Sequence, residues 1–210
     1  MCFKRYTIMF LLLAASLIMS LAAVSCRPAR INPLETLGKK YGAGNYLSLD
    51  EYYRGATGVK IGLKGIVIEV DPADVTVIME SIRAEYVNVQ PFRIEKNYGH
   101  ADKKDKIAVI GAISPFELVT ALQTRGKDDK VATSSIVKAL KAIDAQANIK
   151  LTGAGIDFVE FSFTAVPPDW TAVTKLCADI APNIITYGAG TFEVLEKEIR
   201  QYRGAILWWY

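Results

Sequence analysis

The chain has 210 residues, of which 51% are apolar, with a formal net charge of +3 and a single histidine. This length and composition exclude a disordered chain and are sufficient for one domain with a hydrophobic core. Two of the 25 basic residues, Lys4 and Arg5, lie in the leader, which leaves 23 basic against 22 acidic residues. So small a difference gives no electrostatic basis for binding nucleic acid or an acidic membrane surface.

Residues 1–25 have the pattern of a signal peptide. The basic pair is followed by an apolar run from Met9 to Met19 and then by Ala23-Val24-Ser25-Cys26. A positive start, an apolar stretch and small residues before the cleavage site are typical of secretory signals. The small residues before Cys26 resemble a bacterial lipobox, although Ala23 stands where leucine is usual. We therefore expect Cys26 to carry lipid that anchors the protein to a membrane, on the periplasmic side of the cell envelope.

Two alternatives stay open for the leader. Cleavage after Ala22 would release a soluble protein, whereas no cleavage would leave a helix over Tyr6–Val24, about 19 residues, just long enough to span a bilayer. All three arrangements place the rest of the chain on the same side of the membrane. Residues 26–45 are expected to form a tether with a short helix around Leu34–Tyr41, followed by a single domain over residues 46–210.

The first half of this domain is predicted to alternate strands with helices. Alternating apolar residues predict a strand within residues 61–70, and shorter apolar stretches predict strands at 92–94 and 106–111. Asp71-Pro72 is predicted to start a helix, and Ser114–Glu117 has the spacing of a capping box that starts another.

The second half follows the same order. Helices are predicted over residues 136–143 and after Asp169, and the alternation over residues 159–164 predicts a strand with one wet face. Ile184-Ile185 is predicted as a short strand, joined through a helix over Thr191–Tyr202 to a final strand. Short connections of this kind are typical of a right-handed βαβ unit with parallel strands. We therefore expect an α/β fold, with α+β as the alternative: one mixed, twisted sheet with flanking helices and a C-terminal βαβ unit.

The stretch from residue 107 to residue 210 resembles a known family. The residues that carry the resemblance are turn residues, helix starts and a terminal aromatic pair: Gly111-Ala112-Ile113-Ser114-Pro115-Phe116-Glu117, Thr124, Ser135-Ile136-Val137, Leu140, Gly153–Asp157, Pro168-Asp169, Ala181–Ile185, Gly188–Thr191 and above all Leu207-Trp208-Trp209. They are similar to the bacterial family numbered 4253 among the domains of unknown function. The resemblance implies a fold and no activity. Asn183 and Tyr210 stand where the family pattern usually has aspartate.

No constellation of catalytic residues emerges from the sequence. His100 lies in a polar loop, where we expect a solvated side chain rather than an acid–base catalyst. Cys177 falls on the apolar stripe of its predicted helix, where we expect a buried and inert thiol. With one histidine and Cys26 acylated, we expect no zinc site. We assign no metal-binding residues and no cofactor; the sequence has no EF-hand-type spacing, and a carboxylate site for a hard cation stays open as an alternative.

Five residues mark a candidate ligand-binding site: Asp157, Tyr187, Gly188, Gly190 and Trp208. Gly188–Gly190 precedes a helix start, where backbone N–H groups can hold an anion, although a tight turn is the competing interpretation. Asp157 and Glu160 are three residues apart on a predicted strand, so they are expected on opposite faces. Trp208 and Trp209 are also expected to face opposite ways, one in the core and the other on a groove.

The anchoring signal and the lack of catalytic groups favour a non-catalytic binding or interaction module at the cell envelope, with a protein or small-molecule partner that the sequence does not identify. One alternative is an envelope hydrolase that uses carboxylates in a cleft near Tyr187–Gly190. Another is an immunity-type inhibitor that protects the periplasm from a toxin, although no residue singles it out.

Overall fold

The computed structural model describes residues 33–42, 45–97, 103–126 and 130–209. Its centre is a seven-stranded sheet whose strands are β1 (Tyr46–Ser48), β2 (Gly65–Val70), β3 (Val89–Glu95), β4 (Asp105–Gly111), β5 (Ile149–Ala154), β6 (Phe158–Phe163) and β7 (Gly204–Trp208). Their order across the sheet is β1-β2-β4-β3-β5-β6-β7. All neighbouring pairs are antiparallel except β3 and β5, which are parallel. The predicted mixed sheet is therefore confirmed.

Helices flank the sheet, as predicted for an α/β fold. Within the described ranges they are α1 (Pro33–Tyr41), α2 (Leu49–Thr57), α3 (Val75–Glu85), α4 (Pro115–Ala121), α5 (Thr133–Ala147), α6 (Trp170–Ile180) and α7 (Phe192–Tyr202). The predicted capping box at the start of α4 is present, because the side chains of Ser114 and Glu117 each bond to the backbone N–H of the other residue. None of the helices in the described residues is both long and apolar enough to cross a membrane.

Two hydrophobic cores lie on opposite faces of the sheet. The larger core packs one sheet face against α2, α4, α5, α6 and α7, whereas the smaller core packs the other face against α1 and α3. Strand β4 supplies both, with Ala108 and Ile110 on one side and Ile107 and Val109 on the other. This double burial explains why residues 107–110 are continuously apolar instead of alternating.

The second face of the sheet is covered only in part. Helices α1 and α3 pack over β2 and β4, but over β5 and β6 the outward side chains are polar and exposed or half-buried. On β6, Val159, Phe161 and Phe163 are buried while Glu160 and Ser162 are partly accessible. The predicted strand with one wet face is confirmed, and its wet face forms the floor of a groove between α3 and α7.

The predicted C-terminal βαβ unit is wrong. Residues 184–189 form a π-helical turn instead of a strand, and β7 pairs antiparallel with β6 at the edge of the sheet. The N–H groups of Ile184 and Ile185 donate to the carbonyls of Ala181 and Pro182, both at 3.1 Å. Local helical bonds therefore satisfy this backbone, and an isolated pair of isoleucines does not distinguish strand from helix.

The predicted helix at residues 34–41 is present as α1, and it belongs to the folded unit. The side chain of Leu37 is fully buried in the smaller core, and the compact unit extends from Leu34 to Tyr210. Lys40 also forms an ion pair with Glu85 of α3 at 2.6 Å. The fold therefore begins upstream of the predicted boundary at residue 46, since residues 34–42 pack against the sheet instead of forming a tether. The expectations for Cys26 and His100 fall outside the described residues.

Candidate ligand-binding cleft

A cleft of about 710 Å³ opens at one end of the sheet. This is within the size range of small-molecule sites, roughly 300–1,000 Å³. Its walls are α2, the ends of β3 and β7, the turn between β5 and β6, and the π-helical turn. The aromatic residues among its lining are Tyr52, Tyr53, Phe158, Tyr187, Trp208 and Trp209, and the charged ones are Glu95, Lys96 and Asp157.

Four of the five residues predicted as ligand-binding meet in this cleft. Asp157 comes from the β5–β6 turn, Tyr187 and Gly188 from the π-helical turn, and Trp208 from the end of β7. Gly190 does not line the cleft. It ends the π-helical turn with a φ of 81°, and its N–H donates to the carbonyl of Ile185 at 2.9 Å. A left-handed φ favours glycine, so this residue has a conformational role here.

The β5–β6 turn is held by hydrogen bonds from the segment after α4. The hydroxyl of Thr124, itself fully buried, donates to the carbonyl of Gly155 at 2.7 Å. The N–H of Arg125 donates to the carbonyl of Ile156 at 2.8 Å. Two successive carbonyls of the turn are therefore fixed by one neighbouring segment.

The end of the chain fixes the next residue of the turn. The N–H of Trp209 donates to the carbonyl of Asp157 at 2.9 Å, and the indole N–H of Trp209 donates to the carbonyl of Ile180 at 2.7 Å. Trp209 is only 4% exposed and belongs to the larger core, whereas Trp208 is half-buried, and both residues border the cleft. Of the expected pair, Trp209 is therefore the core residue and Trp208 the more accessible one.

The Asp157 carboxyl is the charged group of the cleft with the fewest protein partners. It remains open to solvent, but the surrounding walls partly desolvate it, and this burial raises its pKa despite a bond from its own backbone N–H. Within the described residues, no basic side chain pairs with it. Burial also raises the pKa of the adjacent Tyr53 to about 12, an increase that Arg125 opposes and Asp157 reinforces.

Glu95 lies on the same cleft in a different electrostatic setting. Its Oε2 accepts from the Tyr52 hydroxyl at 2.6 Å and from Lys106 Nζ at 2.8 Å. Partial burial opposes ionisation, but these two bonds outweigh it and lower the pKa of Glu95. Burial, followed by the bond to Glu95, raises the pKa of Tyr52. The Lys106 ammonium also lies 5.1 Å from the centroid of the Tyr52 ring.

The groove on the wet face of the sheet is a separate cavity of about 900 Å³. At its centre Arg93 lies between two carboxylates: Arg93 Nη1 lies 2.9 Å from Glu160 Oε2, and Arg93 Nε lies 3.0 Å from the buried Asp105 carboxylate, outside hydrogen-bonding geometry. Glu160 lies on β6 and lines this groove, whereas Asp157 lies in the turn before β6 and lines the cleft. The two carboxylates are therefore apart, but not on opposite faces of one strand as expected. The groove and the cleft meet at Trp208.

The remaining candidates for chemistry have structural roles. Cys177 is fully buried on α6, as expected, and burial raises the pKa of its thiol to about 12. In the part of the chain that the structure describes, no three His, Cys, Asp or Glu side chains cluster closely enough to hold a metal ion.

Tyr52 and Glu95 were missed by sequence reasoning. Both lie upstream of residue 107, outside the family-like stretch, and the topology alone brings them to the cleft. The Tyr52-Tyr53 pair on an amphipathic helix was the available signal, since adjacent residues on a helix point about 100° apart and are not buried equally. Tyr53 is 2% exposed, whereas Tyr52 is only partly buried against the same core.

Together, the sheet and the cleft define an α/β protein with a mixed seven-stranded sheet and a cavity of small-molecule size at its end. A family model described as "Domain of unknown function (DUF4253)" matches residues 106–210, and the chain belongs to this family. The comparison with curated proteins and the comparison with solved structures each gave no match. Several residues of the family-like pattern, including Thr124, Gly155, Asp157 and Trp208, lie at the cleft or hold its turn.

Proposed function

We propose that this protein is an exported lipoprotein, anchored through Cys26 on the periplasmic side of the cell envelope, that binds a small ligand in the cleft without transforming it. The observation that carries the binding role is the convergence of Asp157, Tyr187, Gly188 and Trp208, chosen from the sequence, on one cavity of about 710 Å³. The anchoring role rests on the leader pattern that ends at Cys26.

The construction of the cleft supports binding by a preformed site. The turn that presents Asp157 is fixed by bonds from Thr124, Arg125 and Trp209, so little ordering remains for the ligand to impose. Sites that are organised before binding lose less free energy on ordering their own side chains and loops. Aromatic walls with a few placed polar groups are typical of small-molecule sites.

The binding role is tested by thermal-shift screening of a small-molecule library against the wild-type protein and two matched variants. Tyr187→Ala removes a cleft residue that is 70% exposed, and Tyr202→Ala removes a tyrosine of α7 that is 73% exposed and lines the other groove. We expect stabilising ligands to lose their effect with Tyr187→Ala and to keep it with Tyr202→Ala. Ligands that respond only to Tyr202→Ala would place the site in the groove and refute the proposal.

The anchoring role is tested by fractionating cells that produce wild-type protein or the Cys26→Ser variant. We expect the wild type to carry lipid mass on its N-terminal fragment and to sediment with membranes, and the variant to lose both properties. A variant that stays in the membrane fraction at full length would instead support an uncleaved leader helix.

A protein partner in place of a small ligand is tested by a pull-down from crosslinked envelope with the full-length protein as bait. A single stoichiometric partner that still binds the Tyr187→Ala variant would argue against the cleft as the functional site. If the Tyr187→Ala variant loses that partner, the cleft remains the functional site, and its ligand is a segment of the partner protein and not a small molecule.

A hydrolase is the second candidate, because the cleft holds two carboxyls whose pKa values move in opposite directions, raised for Asp157 and lowered for Glu95. Divergent carboxyl pKa values are typical of acid–base pairs in hydrolases. Assays with fluorogenic esters, glycosides and phosphodiesters test this role: turnover that Asp157→Asn abolishes would favour the hydrolase over the non-catalytic module.

A further inference from the structure

We infer that the ligand of the cleft is an organic cation, a protonated amine or quaternary ammonium carried on a ring or similar apolar body. This inference rests on the proposed binding role and specifies its ligand. Its basis is the combination of aromatic walls, in a cavity of limited size, with one carboxylate that has no ion-pair partner within the described ranges.

Among the residues that the structure describes, Asp157 is the carboxylate of the cleft for which no basic partner is found. Glu95 is compensated by Lys106, whose Nζ lies 2.8 Å from its Oε2. Lys96 also lines the cleft, but no ion pair joins it to Asp157. A partly desolvated carboxylate interacts with an incoming charge more strongly than one in bulk water, so the site favours a cation over a neutral or anionic ligand of the same shape.

The position of Asp157 is fixed by its backbone. The carbonyls of Gly155, Ile156 and Asp157 all accept hydrogen bonds from other segments of the chain. Because these backbone carbonyls already have donors, the Asp157 carboxylate is the hydrogen-bond acceptor of the turn that remains for a ligand. Because the turn is held at three successive residues, the carboxylate is presented without the cost of ordering a flexible loop.

The aromatic walls supply the second element of cation recognition. Tyr52, Tyr187 and Trp208 line the cleft from three different elements, and the faces of tyrosine and tryptophan rings attract cations. The protein already shows this interaction at the same wall, where the Lys106 ammonium lies 5.1 Å from the centre of the Tyr52 ring. An ammonium on an apolar body would combine the carboxylate and the rings.

The test uses three probes with the same ring and nearly the same size, namely benzylamine, benzyl alcohol and benzoate, which are cationic, neutral and anionic at pH 7. Each probe is titrated into the mature protein, which lacks residues 1–25, and the dissociation constant is measured by NMR. We expect benzylamine to bind about five- to tenfold more tightly than benzyl alcohol, and benzoate to bind most weakly, as one unpaired carboxylate in a half-open site predicts.

Two matched variants locate the source of this preference. Asp157→Asn is expected to reduce the benzylamine to benzyl alcohol affinity ratio to about one. Asp179→Asn, which changes an exposed carboxylate on α6 paired with Lys175 at 3.0 Å, is expected to leave the ratio unchanged.

The outcomes separate this inference from the binding role. Equal binding of benzylamine and benzyl alcohol, tightest binding of benzoate, or an unchanged ratio in Asp157→Asn would overturn the cation inference and leave the cleft as a binding site. If none of the three probes binds, the inference is also overturned, whereas the binding role fails only if the thermal-shift screen finds no ligand sensitive to Tyr187→Ala.

Discussion

The Cα of Gly188 lies against the indole of Trp208, so a methyl group added at Gly188 would come within 2.9 Å of Trp208 Cη2. Separations this short do not occur between unbonded carbon atoms, so one of the two groups would have to move. The contact joins the π-helical turn to the end of β7, and both residues line the cleft.

Substitution of Gly188 by alanine should therefore displace Trp208. We expect a shifted tryptophan emission maximum, ligand binding at least several-fold weaker, and a loss of stability of about 1–3 kcal/mol from overpacking. Gly55→Ala is the control, since no atom lies within 4 Å of a Cβ at this position in α2, and alanine there should stabilise the helix by about 0.5–1 kcal/mol. Equal effects of the two substitutions would contradict the contact.

Removal of the Thr124 hydroxyl should loosen the turn that carries Asp157. The variant Thr124→Val leaves the carbonyl of Gly155 without its donor in a buried setting, which costs about 1–3 kcal/mol. Thr120→Val removes a hydroxyl of similar geometry, which donates to Phe116 on the exposed side of α4, and should change stability by less than about 0.5 kcal/mol. Chemical denaturation measures both changes, and faster amide exchange at residues 155–157 in Thr124→Val alone would localise the effect.

The raised pKa of Asp157 predicts a pH-dependent gain in stability for Asp157→Asn. A carboxyl with a folded-state pKa above its unfolded value stabilises the fold only below the unfolded pKa, about 3.9, and this contribution is lost as the pH rises through the folded pKa. At pH 7 the variant should therefore be more stable than the wild type, by less than about 1 kcal/mol because solvent screens this open site. Urea unfolding at pH 7 and at pH 3 should show a gain that disappears in acid. A variant less stable than the wild type at pH 7 would argue against desolvation of Asp157.

The thiol of Cys177 should resist alkylation in the native protein. The thiolate is the reactive form, and full burial with a pKa of about 12 keeps the thiol protonated. Iodoacetamide treatment followed by peptide mass spectrometry should leave the peptide of Cys177 unmodified until urea is added. Rapid native modification would show that α6 opens locally.

The sequence predicted most elements of the fold because its local patterns and its tertiary packing agree. Residues 159–164 alternate because one face of β6 meets the core, and Ser114 and Glu117 form the predicted capping box at the start of α4. The prediction was wrong at Ile184-Ile185, because two consecutive apolar residues are compatible with either a strand or a helical turn. In the structure their backbone N–H groups form local hydrogen bonds, and the segment is a π-helical turn.

The cleft was predicted only in its C-terminal half. Asp157, Tyr187, Gly188 and Trp208 stood out because they lie in turns or at a strand end close to the family-like motifs. Tyr52 and Glu95 reach the same cavity only through the sheet order, which places β3 beside β5 by a parallel contact that no local pattern indicates. Long-range strand pairing of this kind is not encoded in short-range periodicity.

The measurement that tests the account most directly is a titration of ¹⁵N-labelled protein with benzylamine, observed at the indole N–H signals. The protein has three tryptophans, and they sample three environments: Trp208 lines the cleft, Trp209 is buried with its indole N–H bonded to Ile180, and Trp170 lies beside Phe163 and Arg200. With Trp208→Phe used for assignment, the account predicts that the Trp208 signal moves saturably while the Trp170 signal stays in place. Saturable movement of Trp170 with Trp208 unchanged, or no movement of any indole signal, would contradict the binding of an organic cation in this cleft.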